Sequence, residues 1–114
     1  MNIYPALPTA YTNYNHLSGS GTLIPAVAGK KIVASFHVNS NTWSVNGVNC
    51  TWSITGTING LSTVISSSSD TASTGVSIIT PIPENITFDA GTAVTVTATL
   101  AESILFVAAA WNYI

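Results

Sequence analysis

The run Val94-Thr-Val-Thr-Ala-Thr-Leu100 alternates apolar and hydroxyl-bearing residues without a break. Successive side chains of an extended strand point to opposite faces, whereas a helix returns to one face every 3.6 residues. Only a strand therefore buries Val94, Val96, Ala98 and Leu100 together while leaving Thr95, Thr97 and Thr99 outside. Lys31-Ile-Val-Ala-Ser-Phe-His-Val38 has the same period, with Ile32, Ala34, Phe36 and Val38 opposed to Val33, Ser35 and His37. Between Val45 and Ile58, in one or two strands, Trp52 and Ile54 oppose Thr51, Ser53 and Thr55.

The final segment, Ile104 to Ile114, is apolar at both parities for most of its length. That pattern suits a central strand covered on both faces, or one with its second face against a partner. A helix is conceivable around Ala108-Ala109-Ala110, but the β-branched and aromatic flanks favour a strand. Asn46-Gly47 and Asn59-Gly60 are hairpin signals, because Asn and Gly both accept positive φ. Leu61 to Ser66 reads as the return strand after Asn59-Gly60, and the polar tract Ser66 to Gly75 as a long loop. Val76 to Thr80 is a further short strand, closed by Pro81-Ile82-Pro83, and Asp89-Ala90-Gly91 and Ala101-Glu102-Ser103 are turns. Seven or eight short strands so spaced predict an all-β chain forming a single β-sandwich. A jelly-roll-like topology fits, and a small barrel stays open.

Residues 1–20 differ from the rest of the chain: Pro5, Pro8, Tyr4, Tyr11 and Tyr14 fall in a stretch with poor periodicity and no formal charge. Gly19-Ser20-Gly21 then forms a flexible joint. The expected organisation is an extended N-terminal arm, residues 1–20, ahead of a sandwich domain, residues 21–114. Tyrosine is a low-entropy contact residue enriched at interfaces, so the arm is expected to order against a neighbouring subunit. Candidate interface residues are Tyr4, Leu7, Tyr11, Tyr14 and Leu17 in the arm, with Trp111 and Tyr113 in the last strand. Deleting residues 1–17 should then leave the β fold intact.

Charge decides which functions are excluded. Only 5% of residues are Asp, Glu, Lys or Arg, against about 25% in typical soluble domains. A free monomer so poor in charge tends to associate, while a subunit covered by neighbours has less need of repulsion. The only basic residues are Lys30 and Lys31, too few for a phosphate-neutralising face or a polybasic membrane contact. No nucleic-acid or membrane partner is expected. The longest apolar run, Ile104 to Trp111, falls short of the roughly 20 residues of a membrane span, and no secretion leader is expected.

Chemistry is equally sparse. Asp70, Glu84, Asp89 and Glu102 are isolated from one another, and His16 and His37 have no partner motif. Serines abound, yet no Gly-x-Ser-x-Gly elbow, phosphate loop or paired carboxylate accompanies them. No enzyme, metal or cofactor is expected. Cys50 stands alone, so it forms no intrachain disulfide and reads as a small apolar strand residue. Trp43, set among polar neighbours, is the one tryptophan that looks exposed. With Asn41 and Asn46 it makes a candidate ligand-binding platform, suited to stacking on a sugar. Trp52 and Trp111 have apolar neighbours and belong to a core or an interface.

The segment Gly21-Thr-Leu-Ile-Pro-Ala-Val-Ala-Gly-Lys-Lys-Ile-Val-Ala-Ser-Phe-His-Val38 resembles the opening of small tailed-bacteriophage virion proteins. There, a Val-Ala-Gly-Lys-like turn leads into an alternating first long strand. Asp89-Ala-Gly-Thr-Ala-Val-Thr-Val-Thr-Ala-Thr-Leu100, followed by a final strand ending near Tyr113, looks like their C-terminal hairpin. The resemblance covers roughly residues 21–114, the middle in character only. It implies a capsid decoration (cement) protein, or a related head or tail subunit, with no cofactor and no turnover. Such proteins assemble in the host cytoplasm onto the virion, often as homotrimers bridging the major capsid protein on the capsid surface. The tyrosine-bearing arm and the Trp43 loop depart from that pattern. The alternative expectation is a glycan- or receptor-binding β-sandwich of a phage tail or fibre.

Overall fold

The fold, taken from a computed structural model, is described for residues 11–43, 49–71, 74–80, 82, 84–99 and 104–114. Among these residues there is no helix, and nine strands form two antiparallel sheets. The strands are β1 (Asn13–Leu17), β2 (Gly21–Ile24), β3 (Ile32–Trp43), β4 (Asn49–Ile58) and β5 (Leu61–Thr71). They continue as β6 (Thr74–Thr80), β7 (Ile86–Phe88), β8 (Val94–Thr99) and β9 (Ile104–Tyr113).

The first sheet runs β1-β9-β3, with β6 and β7 sharing the far edge of β3. The second runs β2-β8-β4-β5. Read along the chain, the pairs are nested: β1 with β9, β2 with β8, β3 with β6 and β7, β4 with β5. A long hairpin ladder of this kind, rolled so that β9 meets β3 and β8 meets β4, is a jelly roll. The all-β sandwich expected from the alternating pattern is the observed architecture.

Alternation places the core where expected. Ile32, Ala34 and Val38 of β3 and Val94 and Val96 of β8 are buried, while His37, Thr95, Thr97 and Thr99 are exposed. Trp52 and Ile54 of β4 and Leu105, Val107 and Trp111 of β9 join the same core. Each fully buried aliphatic or aromatic side chain contributes roughly 1.5–3 kcal/mol. The Asn59-Gly60 turn has φ of 52° and 77° and joins Ile58 to Leu61, the type I′ geometry expected of that pair. Asp89 fastens it: its carboxylate accepts the Asn59 N–H at 2.9 Å and the Gly60 N–H at 2.6 Å.

Two expectations are corrected. Ser66 to Gly75 is not a long loop: β5 runs to Thr71 and β6 begins at Thr74, so the tract lies mostly in strands. Pairing of Ser66–Thr71 with Asn49–Ile54 overrides the weak intrinsic preference of serine for strands. Nor is the segment before residue 20 an arm throughout. Asn13–Leu17 is β1, paired with β9 from Asn13↔Trp111 to Leu17↔Val107. The boundary drawn at residue 20 therefore falls inside the jelly roll, and removing residues 1–17 deletes an edge strand. The weak periodicity of Asn-Tyr-Asn-His-Leu hid it, because Asn15 faces inward and satisfies its amide on the Leu23 carbonyl at 2.9 Å. Residues 1–10 lie outside the described residues.

Gly56 continues the inward row of Trp52 and Ile54 on β4 and is buried. Its missing side chain admits the ring of Phe88, which crosses from the first sheet and meets Phe36 edge-on, with ring centroids 6.0 Å apart. A Cβ at Gly56 would clash with the edge of that ring, at Phe88 Cε1 and Cδ1. Gly56→Ala is thus expected to lower the unfolding free energy by about 1–3 kcal/mol, read as an earlier midpoint in urea. An unchanged midpoint would show that Phe88 does not fill this gap.

Candidate functional site

Opposed residues of an antiparallel pair share a face. In the first sheet, Trp111 lies between Asn13 and Ala34, and all three belong to the inward set. The intervening pairs point outward: Tyr14 and His16 from β1, Phe106, Ala108 and Ala110 from β9, Ser35 and His37 from β3. None carries a formal charge at neutral pH.

The aromatic members form a row. His16 stacks on Phe106 at 5.2 Å and 24°, Tyr14 sits 6.0 Å from His16, and His37 approaches Phe106 edge-on at 6.4 Å. Beside the row, the small side chains of Ala108 and Ala110 leave an open hollow of about 200 Å³, lined also by Tyr14, Ser35 and His37. Ala108 is buried despite its outward direction, whereas Tyr14 is 63% exposed. The face is a hollow beside a projecting ring, and the chemistry it offers is apolar and aromatic contact.

The outer face of the second sheet is different. Thr51, Ser53 and Thr55 of β4 stand opposite Thr99, Thr97 and Thr95 of β8, with Ser67 beyond them on β5. Thr51 and Thr99 share a hydroxyl hydrogen bond at 2.5 Å. A hollow of about 360 Å³ lies over these hydroxyls. None of its described lining residues is titratable.

A polar latch closes the rim of the first sheet. The Tyr11 hydroxyl donates to Asn85 Oδ1 and lies 2.8 Å from Ser35 Oγ, which accepts the Asn85 N–H at 3.2 Å. Asn85 is held at φ 57°, a left-handed conformation that Asn tolerates. Thr12 donates its N–H and its hydroxyl to Asn112 Oδ1, both at 2.9 Å.

Among the described residues expected at an interface, only Tyr14 is placed on an open surface. Leu17 packs against the core, Trp111 is buried, and Tyr113 packs inward with its hydroxyl donating to the Pro25 carbonyl at 2.7 Å. Tyr11 is spent on the internal latch. Tyr4 and Leu7 lie outside the described residues. Asn41 and Trp43 pair in register with Ser77 and Thr74 at the end of β3; their side chains, and Asn46 altogether, also lie outside. The same holds for the Cys50 side chain, whose backbone pairs with Asp70 in β4. His16, His37 and Phe106 were not among the expected site residues. Their signal was present in the two-faced apolar character of Ile104–Ile114 and in the outward parity of His37. Among the described residues no three of His, Cys, Asp and Glu converge as metal ligands.

Compared with known proteins, the chain matches no family model, no curated protein and no solved structure.

The latch makes a measurable prediction. Tyr11→Phe removes the donor to Asn85 and should lower the unfolding free energy by about 1–2 kcal/mol. The urea midpoint should fall at constant slope. A midpoint equal to wild type would show that the latch is open in solution.

Proposed function

We propose that this protein is a structural subunit of a virion, of the capsid-decoration kind, which works by contact with neighbouring subunits and carries out no turnover. The observation that carries the reading is the uncharged aromatic outer face of the first sheet, on a jelly roll whose core is already complete beneath it. The jelly roll is an architecture widely used by capsid proteins, and contacts between like neutral faces suit a chain with so little charge. Phage-like opening and closing segments add the virion context. Its partners are the major capsid protein and further copies of the chain, with a trimer favoured. Its place is the capsid surface, reached after synthesis in the host cytoplasm.

Decoration requires that the chain travel with assembled particles. A tagged copy made in the virion-producing host should co-sediment with the particles at a fixed copy number and add density to the outside of the shell. A chain left wholly in the soluble fraction beside intact particles would overturn the assignment. Removing only residues 1–10 spares β1, so the circular dichroism should stay that of a β-sandwich. Loss of Tyr4 and Leu7 should reduce incorporation at least about tenfold, equivalent to about 1.4 kcal/mol of contact. Undiminished incorporation would remove these residues from the interface.

A further inference from the structure

We propose that the outer face of the first sheet is a self-association surface for further copies of this chain, and that protonation of His16 and His37 opens it. The inference rests on the structural-subunit reading and names the partner and the control of that surface.

The occupant is set by charge and area. No formal charge lies on the outward positions of β1, β9 and β3, so a strongly charged partner finds nothing to pair with there. Another copy of this chain presents the same neutral aromatic row. It also brings an exposed Tyr14 ring to set against the hollow over Ala108 and Ala110. Knob and hollow on one patch are what a rotationally symmetric assembly requires. The sheet's five strands hold 37 residues in all, which at about 3.3 Å per residue and about 4.8 Å between strands span on the order of 600 Å². Two such faces bury about 1,200 Å², above the roughly 1,000 Å² expected of a specific interface.

Both histidines of the chain stand on this face, on either side of Phe106. Histidine side chains commonly gain charge between pH 8 and 5. On β1 the other ionisable group is Tyr14. Strands β6, β7 and β9 bring no acid or base to the face. Around it, Lys31 precedes β3 and Glu84 is exposed in the turn leading into β7. Packing two such faces together therefore gathers histidines from both copies around apolar rings. Acid then places like charges in a contact that has no counter-charge of its own.

The test is the mass of the full chain in solution, by light scattering, at pH 8 and pH 5.5. A multiple of 11.8 kDa is expected at pH 8, with association weakened about a hundredfold or more, toward monomer, at pH 5.5. Tyr14→Lys, at an exposed position, should be folded and monomeric at both pH values. Thr97→Lys on the opposite sheet should behave as wild type. His16→Gln combined with His37→Gln should stay associated at pH 5.5. A monomeric wild type at pH 8, or a Tyr14→Lys variant that still associates, overturns the surface. Association that is indifferent to acid, or acid dissociation that persists in the double glutamine variant, overturns the histidine control. Particle incorporation is scored separately: a chain that associates yet stays off particles fails the decoration reading alone.

Discussion

The pairing of β3 with β9 is the contact on which the rest of the structure depends. Ten registered pairs, from Ile32↔Tyr113 to Asn41↔Ile104, join the first third of the chain to its last segment. Lys31 and Ile114 extend the ladder by two further backbone bonds of 3.0 and 2.9 Å. Closing a loop of about 80 residues costs about 4 kcal/mol in chain entropy, so this ladder forms only when apolar burial accompanies it. β9 supplies that burial. Leu105, Val107, Ala109 and Trp111 face the core from the middle of the sheet, and β1 can add to the edge only once β9 is in place. The same strand fixes the outward row of Phe106, Ala108 and Ala110, so one register sets both the core and the candidate surface.

Much of this was legible because period two is unambiguous. Val94 to Thr99 and Ile32 to Val38 assign every side chain to a face, and Asn59-Gly60 names its own turn. What was illegible depends on partners distant in sequence. β1 has almost no apolar periodicity, and only the neighbouring backbone of β9 makes it a strand. The serines of β5 likewise become strand because β4 supplies their hydrogen bonds. Gly56 reads as a weak point in a strand until Phe88, from the other sheet, is seen in the space it leaves.

The surface was half legible for a similar reason. Aromatic residues announce contact but not its direction. Trp111 and Tyr113 look like interface residues, yet odd-numbered positions of β9 point inward, and the outward positions hold alanines with Phe106. Parity alone sorts them, provided the strand is recognised as central. Tyr11 and Tyr14 are three residues apart and meet different fates. Tyr11 reaches Ser35 and Asn85, whereas Tyr14, opposite Ala110 and beside the His16 ring, remains open. The position across the ladder, not the residue type, separates a latch from a contact site.

With so little charge on the chain, the two outer faces are told apart by other chemistry. Neither carries formal charge at its described positions, but they differ in what water can do for them. The threonine and serine hydroxyls of the second sheet hydrogen-bond to solvent, so hydration covers that face without repulsion. Tyr14, Phe106 and the two alanines leave water with little to bind, and on the second sheet only Leu61 and Val64 of β5 are comparable among the described residues. Under the proposed self-association, copies meeting through the first sheet would leave the threonine and serine hydroxyls of the second outward, where water can hydrogen-bond to them.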